Sequence, residues 1–174
     1  MAALLFGMAA KRIEIFECRI QSLNQLRNKM KIRIKKLNEK AVVPTYGSEY
    51  SAGADLYALL EEAIEIKPHE TVFVHTGISV EIPEGYCGLI FARSSMGAKR
   101  GLAPANKVGV IDADYRGEIM VALHNHSEVT ATVEPFERIA QLAIVPFLKA
   151  AFEEVDDLSD TARGAGGFGS TGTK

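Results

Sequence analysis

From Met30 to Pro146 the chain is a succession of short apolar runs, each broken within a few residues by turn chemistry. Ile32 and Ile34 alternate with lysine and arginine, and Ala63 to Ile66 leads into Lys67-Pro68-His69-Glu70. Val72-Phe73-Val74 precedes Gly77, and Ile78 to Ile82 runs in period two up to Pro83-Glu84-Gly85. Cys87 to Phe91, Ile119 to Leu123, Val129 to Val133 and Ile139 to Val145 follow. No long helical period competes after residue 30. Strands at this spacing predict an all-β sandwich, jelly roll or barrel. A chain of 174 residues is long enough for one domain with an appendage and a sizeable core.

The flanks differ in character. Residues 1–29 form an extension in which Ile13, Phe16, Ile20 and Leu23 recur at helical spacing, predicting a short amphipathic helix or a loosely attached segment. Its apolar stretch precedes Lys11-Arg12, the reverse of a secretory signal. The domain is expected over 30–152, with an acidic linker and a glycine-rich arm over 153–174. A net charge of −2 does not favour nucleic-acid backbone binding. No apolar run reaches the length of a membrane span. Cys18 and Cys87 lack CxxC spacing, so a reducing, cytoplasmic compartment is expected.

Chemistry concentrates in four places. In Gly109-Val110-Ile111-Asp112-Ala113-Asp114-Tyr115-Arg116-Gly117-Glu118, an apolar run ends in two carboxylates, a ring and a guanidinium before a second apolar run begins. That pattern predicts a hairpin or tight loop on a sheet, where a carboxylate can serve as a positioned base; the other reading is a solvated turn. Period two would put Asp112 and Asp114 on one side of a strand and cannot choose between them. Arg93-Ser94-Ser95 follows a strand end and suits phosphate oxygens, or a helix start with a serine cap. Asp55, among small residues, reads as a turn aspartate or as a carboxylate facing a magnesium shell. The tail from Arg163 to Lys174 contains G-x-G-x-x-G, but the chain ends where a dinucleotide fold needs a helix. What remains is a flexible anion-binding arm or a disordered tail. The four histidines supply no ligand set, although His124 and His126 would share a strand face.

These clusters, in this order, resemble the trimeric dUTPase family. The motifs are AGADLYA (52–58), ARSSMGAKRGL (92–102), GVIDADYRGE (109–118), ERIAQLAIVP (137–146) and RGAGGFGSTG (163–172). The resemblance implies a jelly-roll (β-clip) homotrimer with sites shared between subunits. The implied reaction is dUTP plus water giving dUMP and pyrophosphate with Mg²⁺, which limits uracil in DNA and supplies dUMP for thymidylate. By the match, Asp112 activates the attacking water and Tyr115 lies against the deoxyribose. Asn106, Gly109 and Val110 belong to the uracil-reading segment. Arg93, Ser94 and Ser95 meet phosphates, and Asp55 and Gln141 meet the metal's waters. Phe168 and Gly169 cover the uracil, while Arg163, Ser170 and Thr171 close on the phosphates. Ala54 stands where many relatives have a larger residue, and Arg100 where a histidine is frequent.

The chemistry is consistent with that implication. Attack on an electron-rich phosphorus needs charge withdrawn by arginines and a cation. An aspartate is a weak base toward water, so its position must supply much of the effect. The same fold serves dCTP deaminases, but those do not combine a GGFGSTG arm with Asp112-x-x-Tyr115. A regulator that binds dUTP without turnover is the rival of a different class.

Overall fold

A computed structural model describes residues 30–167. Twelve strands and one short helix lie within them. The strands are β1 (Arg33–Lys36), β2 (Thr45–Tyr46), β3 (Ala54–Tyr57), β4 (Ile64–Ile66), β5 (Thr71–His75), β6 (Ile78–Glu81) and β7 (Tyr86–Ala92). The helix α1 (Ser94–Arg100) precedes β8 (Leu102–Pro104), β9 (Gly109–Ile111), β10 (Met120–Asn125), β11 (Ala131–Val133) and β12 (Arg138–Pro146). Residues 147–167 form neither helix nor strand. The helix expected around residues 13–23 lies outside the described residues.

All ladders are antiparallel, and they divide into four small sheets. The largest has the order β2-β3-β12-β7-β9; the others are β5-β10-β8, β1-β6 and β11-β4. Non-sequential neighbours wrap the sheets around a single core, the jelly-roll arrangement among the three options that strand spacing allows. Leu56, Ile66, Val74, Ile78, Leu102, Ile119, Leu123, Val133 and Ile139 are all fully buried there. They come from all four sheets, so the core is common to them.

Two expectations change. The stretch around residues 109–118 is not a hairpin: β9 pairs with β7, whereas β10 pairs with β5 and β8. The intervening segment crosses from one sheet to another. Asp55 is not a turn residue but the second residue of β3, and it is buried.

One buried polar group ties the lower sheets together. Asn125, fully buried at the end of β10, donates through Nδ2 to Ile66 O at 2.9 Å and Val129 O at 2.8 Å. Its Oδ1 accepts from the Ser127 amide at 2.9 Å and the Ser127 hydroxyl at 2.8 Å. All four capacities of the amide are used, so the side chain acts as a staple between β4 and the β10–β11 turn. Replacing Asn125 by Leu orphans several of these partners, and the expected loss is about 2–4 kcal/mol of folding stability. Urea denaturation checks it; a loss under about 0.5 kcal/mol would mean water replaces the staple.

Candidate active site

The first cluster lies where β3, β12 and β7 run side by side. β12 sits between the other two and brings Gln141 opposite Asp55 on one side and opposite Phe91 on the other. The Asp55 carboxylate is only 2% exposed. Its Oδ1 accepts from Arg93 Nε at 2.8 Å and from Gln141 Nε2 at 3.3 Å, and its Oδ2 from Arg138 Nη1 at 3.1 Å. A carboxylate this buried is tolerated only when paired, and here two guanidiniums and an amide satisfy it. Gly53 leaves the room: a Cβ there would fall 3.0 Å from Gln141 Cβ.

Arg138 escapes a reading by period two. That rule puts residue 138 on the opposite face from Gln141, three positions later. The register shifts between Arg138 and Ala140, so Arg138 faces Tyr57 while Gln141 faces Asp55. Tyr57 and Asp55 share a face of β3, so the bulge rotates Arg138 onto the face of Gln141. A bulge has no sequence signature here. The half-exposed guanidinium therefore becomes part of the cluster only through the fold.

Arg93 leaves β7 and occupies the N-cap of α1 without making a side-chain cap bond. Ser94 and Ser95 are first-turn residues, so neither is the cap that the sequence allowed. Arg93 Nη1 also reaches Ser95 Oγ and Arg138 O, both at 3.4 Å. At the far end, Gly101 closes the helix in the left-handed conformation with φ 67°. Arg100 pairs with Glu137 and donates to Thr132 O, fastening α1 to the loops beneath it.

The second cluster surrounds β9. Asn106 and the positive-φ Lys107 form a turn, closed by the Lys107 amide on Pro104 O at 2.8 Å, that leads into Gly109. Gly109 is buried against β7, where a Cβ would come 3.2 Å from Ile90 Cβ, and Val110 is 60% exposed. β9 ends at Ile111, and Asp112 opens a turn whose Tyr115 amide donates to Asp112 O at 3.2 Å. Strand alternation therefore no longer relates Asp112 to Asp114; both are exposed on the turn. Tyr115 folds back: its hydroxyl donates to Glu118 O at 2.9 Å, and its ring covers Gly117. A Cβ on Gly117 would lie 2.5 Å from Tyr115 Cζ, so the close approach made possible by this glycine is to the tyrosine ring. Arg116 Nη1 donates to Ala113 O at 2.6 Å and Tyr115 O at 2.9 Å, bracing the turn from within.

One chain does not bring the two clusters together. The register sets Ile111 opposite Gly88, so Asp112 lies beside the start of β7, whereas Arg93 follows its last residue. The six residue steps from Cys87 to Arg93 span about 20 Å of strand. A cavity of about 300 Å³ opens beside Glu118 and His75, and another of about 300 Å³ beside Arg33 and Arg116. Neither is lined by Asp112, Arg93 or Asp55. Arg163 is exposed on the terminal segment, where its Nε donates to Gly166 O at 2.8 Å. Phe168, Gly169, Ser170 and Thr171 lie outside the described residues.

The histidines behave as structural groups. The rings of His124 and His126 meet edge-on at 4.4 Å; His124 Nδ1 bonds Thr71 Oγ1 and His126 Nε2 bonds Lys107 Nζ. Burial and the charges of Lys107, His124 and His69 hold His126 below the usual imidazole range. Among the described residues no group of three His, Cys, Asp or Glu side chains could hold a metal ion. No helix among them is long and apolar enough to cross a membrane.

Similarity to known proteins covers both clusters. The dUTPase family model matches residues 39–172. The deoxyuridine 5'-triphosphate nucleotidohydrolase of Acinetobacter baumannii is 46% identical over 148 residues, 82% of this chain and 99% of that relative. The enzyme of the same name from Paraburkholderia phytofirmans is 45% identical over 145 residues, 83% and 98% of the two chains. Among solved structures, the Staphylococcus bacteriophage 80alpha dUTPase with dUpNHpp is similar at TM-score 0.75 and 29% identity, covering 82% of this chain and 99% of that one.

Two measurements test the electrostatics. Burial alone would raise the Glu118 carboxyl, but hydrogen bonds from His75 and the Gly77 amide, with the charge of His75, outweigh it and hold the group below the usual glutamate range. A group more acidic when folded stabilises the fold fully above its unfolded value, about 4.3, and loses that effect as pH falls through the lowered value. The stability gap between wild type and Glu118→Gln is thus expected to close as pH falls below about 4.3; a gap unchanged in strong acid contradicts the assignment. Asp55→Ala removes the common partner of two guanidiniums and is expected to cost about 3 kcal/mol in chemical denaturation, more than Arg138→Ala. Equal costs would show that the buried carboxylate is not the hub.

Proposed function

The chain belongs to the dUTPase family, and on that footing we propose how its own residues divide the work of hydrolysing dUTP to dUMP and pyrophosphate. Asp112 is the base. Its carboxylate takes a proton from water as the water oxygen bonds to the α-phosphorus, and the bond from that phosphorus to the bridging oxygen breaks. The electron pair leaves with pyrophosphate. What supports Asp112 is its freedom: it is exposed at the end of β9, on a turn whose neighbours Tyr115 and Arg116 are each hydrogen-bonded back to the backbone. A weak base works when its position is held, and this one is held without its own oxygens being consumed.

The remaining residues bind and discriminate. The exposed ring face of Tyr115 packs on the deoxyribose and leaves no space for a 2′-hydroxyl. Asn106 and the backbone of Gly109 and Val110 read the uracil edge, where an unmatched donor or acceptor is costly enough to reject cytosine. Arg93, Ser94 and Ser95 hold phosphate oxygens, and Arg163 with Ser170 and Thr171 closes over them while Phe168 and Gly169 cover the base. A cation that arrives on the triphosphate would meet Asp55 and Gln141 only through its waters, because the carboxylate is buried and both its oxygens already accept bonds from Arg93, Arg138 and Gln141. When bound, Mg²⁺ neutralises charge on the phosphate chain.

Three copies share each site in this reading, in the cytoplasm. The separation of Arg93 from Asp112 along β7 supports it, because a second chain has to supply one of the two clusters. The segment after β12 supports it as well. Leu148, Phe152 and Leu158 are 97%, 98% and 88% exposed, an apolar series that suits the surface of another subunit.

Asp112→Asn keeps the size of the side chain and removes the base. Turnover, followed by pyrophosphate release, is expected to fall by about 10³-fold, while a non-hydrolysable dUTP analogue binds within about threefold of wild type. Activity close to wild type would move the base elsewhere.

A further inference from the structure

The turn that carries Asp112 is fastened to a different part of the fold from the sheet that delivers it. Beyond the turn, the Glu118 carboxylate points back into the β5–β6 connection. Its Oε1 accepts the Gly77 amide at 2.7 Å, and its Oε2 lies 2.8 Å from His75 Nδ1. Three further bonds run between the same two segments. Ser79 Oγ donates to Arg116 O at 2.7 Å, Thr76 Oγ1 to Ile119 O at 2.5 Å, and the Ile119 amide to Ile78 O at 2.9 Å.

The receiving side is rigid. Gly77 stands at φ 67°, and a Cβ there would fall 2.6 Å from Leu59 Cδ2 and 2.8 Å from Ala41 Cβ. Only glycine presents its amide from that position. Backbone bonds from Leu37 N to Gly77 O at 2.7 Å and from Leu59 N to His75 O at 2.8 Å hold the connection on both flanks. The Glu118 side chain is 23% exposed, so its bonds compete with little water. From Glu118 the link passes through its own carbonyl to the Tyr115 hydroxyl, and from the Tyr115 amide to Asp112 O.

We propose that Glu118, His75 and Gly77 form a latch that positions Asp112 and Tyr115 for the reaction, with Glu118 as its central positioning residue. The inference rests on Asp112 as the base. It assigns work to three residues that have no part in binding or proton transfer. Without the latch, the turn is tied to that connection only through Ser79 on Arg116 O and the two bonds at Ile119, and a displacement of about 1 Å at the base is enough to cost about 10²-fold in rate.

The test compares Glu118→Ala, Glu118→Gln, His75→Ala and Asp112→Asn in the full-length protein. For Glu118→Ala, kcat is expected to fall by at least about 10-fold with KM for dUTP within about threefold, since phosphate and uracil contacts are untouched. Glu118→Gln retains an acceptor for the Gly77 amide and is expected to restore kcat to within about threefold of wild type. His75→Ala, at a half-exposed ring, is expected to lower kcat by about threefold without loss of folding. Amide exchange of residues 112–118 should quicken in Glu118→Ala and His75→Ala while the core strands exchange as in wild type. Unchanged kcat in both alanine variants, with Asp112→Asn inactive, would overturn the latch and leave the base in place. Should Glu118→Ala not fold, unchanged kcat and unchanged amide exchange of residues 112–118 in His75→Ala would overturn it equally. An active Asp112→Asn would instead refute the base, and the exchange rates would still judge whether the turn is latched.

Discussion

The pairing of β12 with β7 governs where everything else can sit. Seven consecutive partners, from Ala140 opposite Ala92 to Pro146 opposite Tyr86, make it the longest ladder in the described fold. β3 hangs on the outer side of β12, and β9 on the outer side of β7. A slip of one residue would turn Gln141 away from Asp55 and replace the buried Leu142 with Gln141 on the core face. Burial of one face therefore specifies the register, and the register specifies the polar cluster. The bulge at Ile139 is the single break in that order, and it brings Arg138 to the carboxylate.

Three carboxylates divide the labour by how many partners each has. Asp55 is buried with two arginines and a glutamine, so its charge is spent within the protein on orienting guanidiniums. Glu118 is partly buried and holds a glycine amide and a histidine. Asp112 stands exposed just past the end of β9, and on the proposed reading its side chain is the one left to act as base. A general base has to keep its oxygens available, and the structural acids cannot. The two guanidiniums of Arg93 and Arg138 outnumber the carboxylate at the centre of the Asp55 cluster, which is why the proposed role there is to hold phosphate oxygens.

Much of the architecture was legible in the residues. The runs at 63–66, 72–74, 78–82, 87–91, 119–123 and 139–145 match β4, β5, β6, β7, β10 and β12 to within a few residues, because alternating burial leaves a period-two trace. The short β2 and β3 left no such trace. β3 is buried at Ala54, Asp55 and Leu56, but unlike Ile78 to Ile82 its short sequence has no apolar–polar alternation of β-branched residues, and the aspartate invites a turn. Of the two readings of residues 109–118, hairpin or tight loop, the structure takes the loop, which joins two different sheets, since local pattern carries no information about which strand a neighbour pairs with. Arg138, Glu118 and His75 were passed over for the same reason. Their partners are 83, 41 and 43 positions away in the chain.

By itself, the sequence determined the kind of chemistry and the class of fold. Asp112-x-x-Tyr115, Arg93-Ser94-Ser95 and the glycine-rich arm name functional groups, and residue types do not depend on context for what they can donate or accept. Only the tertiary structure decided that Asp55 is a buried hub, that a bulge turns Arg138 toward it, and that Asp112 and Arg93 stand at opposite ends of one strand. Those facts arise from long-range pairing, where satisfying a buried charge and filling a core select among registers that the local sequence leaves equal.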